Sequence, residues 1–96
     1  MSEAYVVGHI NVKNPDMWAE YRSKALASMA EWKAELVFRG KQSEPLAGQL
    51  PYEDVVVIRF PNLAAVSSWY ASAAYQALIP LRDQAADIVL LSYETL

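Results

Sequence analysis

The chain contains no cysteine and a single histidine, His9. The first absence excludes a disulfide framework, a thiol nucleophile and a zinc ribbon. The second leaves thin support for catalytic zinc, which takes three protein ligands, so neither a metal nor another cofactor is expected. Basic residues are also scarce: 8 Lys and Arg stand against 11 Asp and Glu, for a formal charge of −3 at pH 7. A nucleic-acid partner needs a phosphate-neutralising patch, and no basic run supplies one. No apolar run approaches the ~18 residues of a membrane span. The opening Met-Ser-Glu-Ala lacks the basic and apolar regions of a secretion signal, which points to a cytoplasmic protein.

The 96 residues that are present are 54% hydrophobic and 11% aromatic. That length suits one domain, residues 1–96, and its apolarity hints at a covered surface. "AYVVGHINV" at 4–12 reads as a strand ended by "KNPD". Asn14 can cap a helix, Pro15 suits its first position and Asp16 its positive end. Trp18, Tyr21, Ala25, Met29 and Trp32 then recur every three or four residues, the stripe of an amphipathic helix. "ELVFRGK" at 35–41 and "VVVIRF" at 55–60 read as strands around a Pro- and Gly-bearing loop. Asn62 starts a helix over about 63–71, a second helical piece covers about 73–85, and "DIVLLSYETL" ends the chain as a strand.

This β-α-β-β-α-β order predicts an α+β, ferredoxin-like fold, with both helices on one face of a four-stranded antiparallel sheet. Strand residues alternate sides. Both parities of 55–60 and 88–91 are largely apolar, so the second face needs a cover as well. The same face of another copy is the simplest cover, giving a homodimer through the sheet.

In order along the chain stand "AYVV", "FRG", "VVVIRFP", "SWYASAAYQ" and "LRDQAAD". With Trp69, Tyr70, Ser72, Tyr75 and Arg82 as their most specific part, these pieces resemble DUF1330, a family of domains of unknown function. That family is similar to the dimeric α+β barrel superfamily, which includes antibiotic-biosynthesis monooxygenases, muconolactone isomerases and stress-responsive barrel proteins. The resemblance implies the fold and the dimer and brings no established reaction. Where members usually carry a Gly-Gly pair after the first helix, this chain has Lys33-Ala34. The usual Arg before strand three and acid before Phe-Pro stand here as Asp54 and Arg59, with signs exchanged.

Several residues are candidates for chemistry. Ser72 lacks the Gly-x-Ser-x-Gly turn common to nucleophilic serines and is expected to cap a helix near Tyr75. Trp69 and Tyr75 read either as the wall of a pocket with Arg82 as its cationic end, or as core packing, with Arg82 paired to Asp83 or Asp87. Pro80 predicts a break near 76–80. His9 shares strand parity with Tyr5, Val7 and Asn11, opposite the more apolar set Val6, Gly8, Ile10 and Val12. His9 and Asn11 are therefore expected on the dimer side of the sheet, where Gly8 opens space beside them. A proton-shuttling His9 with Arg39 or Arg59 as an anion clamp is chemically coherent. Two functions follow. One is the binding of a small apolar or weakly acidic molecule by Asn11, Arg39, Arg59, Trp69, Tyr75 and Arg82. The other is a cofactor-independent monooxygenase or isomerase acting on an activated aromatic or lactone, with His9 as base. An enclosed polar cavity beside His9 separates them.

Overall fold

The computed structural model describes residues 2–96. Its elements are β1 (Ala4–Val12), α1 (Pro15–Met29) with a 3-10 turn (Ala30–Trp32), β2 (Glu35–Lys41), β3 (Asp54–Phe60), α2 (Leu63–Ala71), α3 (Ala73–Gln76), α4 (Ile79–Ala85) and β4 (Ala86–Glu94). The strands form one antiparallel sheet in the order β2-β3-β1-β4, the ferredoxin-like arrangement expected from the sequence.

Local chemistry sets the boundaries. Asn14 Oδ1 accepts from the Met17 N–H at 3.1 Å, and Asn62 Oδ1 accepts from the Ala65 N–H at 2.8 Å, so each asparagine caps its helix. Ser72 does the same between α2 and α3: its Oγ accepts from the Tyr75 N–H at 3.2 Å and donates to the Trp69 carbonyl at 2.6 Å. The helical piece expected over 73–85 is two helices, broken at Ala77 and Leu78. Pro80 sits in the first turn of α4, where its missing N–H costs nothing, so it starts a helix rather than kinking one. Lys33 takes a left-handed conformation (φ 59°) after the 3-10 turn, a position that glycine fills without steric cost. The Gly-Gly to Lys33-Ala34 departure therefore leaves the turn in place at a local cost.

Cross-strand register assigns the two faces. Ala4, Val6, Gly8 and Ile10 pair with Phe60, Ile58, Val56 and Asp54, and all face the helices. Tyr5, Val7, His9 and Asn11 face the other way with Val55, Val57 and Arg59. The helix face holds the core, in which Trp69, Tyr75 and Phe60 are fully buried. The Trp69 and Tyr75 rings lie 4.4 Å apart, and those of Phe60 and Trp69 5.5 Å. Gly8 is a close approach of the kind expected, but on the other side from His9. A Cβ there would stand 2.9 Å from Val56 Cγ1 and 3.1 Å from Leu90 Cδ2, so the missing side chain lets the core close and opens nothing beside His9.

The two long helices sit differently. α2 lies directly on β1, β3 and β4, whereas the backbone of α1 leans mainly on α4 and stands off the sheet, which its Tyr21, Ala25 and Met29 side chains reach. That stand-off positions the site.

Candidate functional site

A cavity of about 360 Å³ lies between α1 and the sheet, opening toward β2 and β3. α1 contributes Trp18, Tyr21, Ala25 and Met29, residues of the apolar stripe, and the sheet contributes Val6, Val56, Ile58 and Leu90. Trp69 closes the inner end. The walls are thus hydrocarbon and aromatic. Charge is confined to Arg22, Arg39, Lys41 and Asp54.

These charged groups are not equivalent. Lys41 Nζ lies 3.8 Å from a Glu53 carboxylate oxygen. Among the described residues, Arg22 and Arg39 have neither an ion-pair partner nor a side-chain hydrogen bond. The Arg39 guanidinium is held below its ordinary pKa, first by partial desolvation and then by the like charge of Arg22. Arg22 was absent from the sequence candidates, although its place was readable. It is a charge inside the Trp18, Tyr21, Ala25, Met29 stripe, where the helix otherwise presents apolar groups.

Next to the cavity is a closed polar cluster. Tyr21 and Tyr75 hydroxyls lie 2.8 Å apart. Arg82 Nη1 donates to Tyr75 at 3.2 Å and to Tyr70 at 3.3 Å, and its Nε donates to Asp83 Oδ1 at 2.9 Å. Burial opposes the Arg82 charge, but the bonds to Tyr70, Tyr75 and Asp83 outweigh it and hold the pKa above its ordinary value. Burial, reinforced by Tyr75, likewise pushes the Tyr21 phenol up. Tyr21 turns its ring to the cavity and spends its hydroxyl on this cluster. Trp69 does the same with its indole, donating Nε1–H to Ser28 Oγ at 3.0 Å.

The remaining sequence candidates lie elsewhere. His9 is on the open face of the sheet, its ring 6.2 Å from that of Tyr52, and it lies outside the α1–sheet cavity. Asn11 latches the β2–β3 loop: it donates Nδ2–H to the Pro51 carbonyl and accepts from the Glu53 N–H, both at 2.8 Å. Arg59 is held by Glu3 at 3.1 Å and by Glu35 across the β2–β3 pair. The seven sequence candidates therefore separate. Arg39 and Trp69 share the cavity, Tyr75 and Arg82 support its wall, and His9, Asn11 and Arg59 lie across the sheet or at its edge. Among the described residues, no cluster of three metal-ligating side chains occurs, and no helix is long and apolar enough to cross a membrane.

The family model for a domain of unknown function, DUF1330, matches residues 3–95. The chain belongs to the DUF1330 family. No curated protein matches this DUF1330 chain. Among solved structures it is similar to a protein of unknown function from Rhodopseudomonas palustris, at 16% identity and a TM-score of 0.80, over 99% of this chain and 83% of that one. It is also similar to SnoaB, a cofactor-independent oxygenase from Streptomyces nogalater, at 11% identity and a TM-score of 0.73, over 100% and 95% of the two chains. A dimeric ferredoxin-like protein of unknown function from Jannaschia matches at 13% identity and a TM-score of 0.73, over 97% and 99%. At such identities the likeness establishes the fold of this DUF1330 protein and leaves its chemistry to its own residues.

Proposed function

We propose that this DUF1330 protein binds one small, largely apolar molecule in the α1–sheet cavity of each subunit of a homodimer. One observation carries the reading: a cavity of about 360 Å³ lined mainly by hydrocarbon and aromatic side chains, with four charged residues among them. Pockets of this kind and size suit small organic ligands. Burial of an aromatic body against Trp18, Met29 and Trp69 would supply affinity, at about 25 cal/mol per Å² of apolar surface before the costs of association.

The dimer follows from the opposite face. Val7, Val57, Val89 and Leu91 form an apolar sheet surface there, flanked by Phe38 at 51% exposure and Tyr93 at 45%. A self-complementary pairing of these sheets would cover it and leave the cavity, on the helix side, open to a ligand. Light scattering should then report twice the 10.7 kDa of the chain, and a monomer at micromolar concentration would contradict the pairing.

Binding is favoured over catalysis by His9, because that imidazole and the cavity lie on opposite faces of the sheet. Three indole N–H groups give a direct test, since Trp18 and Trp69 line the cavity and Trp32 does not. Titration with neutral 2-naphthol should shift the Trp18 and Trp69 resonances and leave that of Trp32 in place. Unmoved Trp18 and Trp69 resonances at millimolar probe would overturn the reading.

A further inference from the structure

The charged groups of the cavity deepen this reading, on which the following inference rests. A guanidinium that no protein acceptor holds is left to water or to a bound anion, and Arg22 and Arg39 are both solvent-exposed where they line the cavity. The other two arginines are held by the protein itself, Arg59 by Glu3 and Glu35, and Arg82 by Asp83 and two tyrosines. Arg22 and Arg39 reach the same cavity from different elements, a helix and an edge strand, and among the described residues no carboxylate pairs with either of them. Partial desolvation, with the like charge of Arg22 added to it, disfavours the Arg39 charge, which a bound anion would favour. Two guanidiniums with ten N–H donors between them suit a planar, two-oxygen acceptor.

Charge balance narrows the class. Arg22, Arg39 and Lys41 bring three positive charges to the cavity, against Asp54 within it and Glu53 on Lys41. One positive charge is in excess, which matches a monoanion better than a doubly charged phosphate ester. We propose that the ligand is a small aromatic or alicyclic monocarboxylate, its body in the apolar cavity and its carboxylate held between Arg22 and Arg39.

Two probes of nearly equal shape test this, 2-naphthoate and 2-naphthamide, with the Trp18 and Trp69 indole signals reporting occupancy. The wild-type protein should bind the naphthoate at least about tenfold more tightly, the scale of a charge-assisted hydrogen-bonded pair. Arg22→Gln or Arg39→Gln should bring naphthoate down to near the affinity of the amide. Lys41→Gln should change it far less, because Lys41 already has Glu53. The wild-type preference should also shrink as salt is raised from roughly 0.05 to 0.5 M, a readout that needs no variant. Equal affinities for the two probes, with both moving Trp18 and Trp69, would overturn the carboxylate clamp and leave the cavity reading standing. Failure of both probes to move either indole would overturn both.

Discussion

Arg82 ends among three hydrogen-bond partners, whereas Arg39 and Arg22, which line one cavity, have none among the described residues. The contrast extends to the halves of the helical layer that hold them. Around Arg82, α2 packs on α3 and on the sheet and α4 on β4, with Trp69, Tyr75 and Phe60 fully buried and Ser72 pinning the joint. Around Arg22, the backbone of α1 stands off the sheet and leaves a cavity. The sequence supplies aromatic and cationic residues to both halves. The difference lies in whether the protein itself meets the guanidinium: it does so for Arg82, and it leaves Arg22 and Arg39, both exposed, without a side-chain partner among the described residues.

Mutations can sharpen or break this contrast. Trp69→Ala should have the largest effect, about 3–5 kcal/mol in denaturant unfolding, because it empties the core beside the cavity and leaves Ser28 without its indole donor. A loss below about 1 kcal/mol would mean that the packed half is not the stabilising one.

Tyr75→Phe comes next. It keeps the ring and strips one partner from both Tyr21 and Arg82, at a cost of about 1–3 kcal/mol. The same cluster makes stability depend on pH. The folded Tyr21 pKa lies above its unfolded value of about 10, so above that pH the unfolded chain gives up a proton that the folded chain keeps. This contribution is present in full below pH ~10 and falls as pH rises beyond it. Tyr21→Phe should flatten the alkaline limb of a stability–pH curve, and an unchanged limb would place the dependence elsewhere.

Ser72→Ala should cost roughly 1 kcal/mol by removing the α3 cap. Ser68→Ala, in exposed α2 surface, should cost close to nothing, and equal losses would remove the hinge role of Ser72. Smallest of all, Arg22→Ala and Arg39→Ala should leave stability within about 0.5 kcal/mol, or raise it slightly at low salt by relieving repulsion. A marked loss in either would mean that the guanidinium supports the fold instead of awaiting a ligand.

Most of the fold was legible because its signals are local. Alternation in "AYVVGHINV", Pro15 after a capping Asn14, and the caps Asn62 and Ser72 are read from neighbouring residues, and each appears where expected. The break before α4 was legible too, though Pro80 begins a helix there instead of bending one. The site was harder. Alternation put the polar His9 and Asn11 on the open face, which drew attention away from the helix side. The backbone of α1 runs closest to α4 while its Tyr21, Ala25 and Met29 side chains reach the sheet, and no spacing within α1 encodes that distance. Arg59 read as free because its partners, Glu3 and Glu35, are set by β-strand pairing across the sheet. Arg22 was the missed signal: one charge in an apolar stripe, visible in the sequence itself.

The central claim is that ligand binds between α1 and the sheet. Intermolecular nuclear Overhauser effects from 2-naphthoate to the side-chain methyls test it most directly. Contacts are expected to Met29, Val56 and Ile58, which line the cavity. Contacts instead to Val7, Val57 and Val89, on the opposite face, would contradict it.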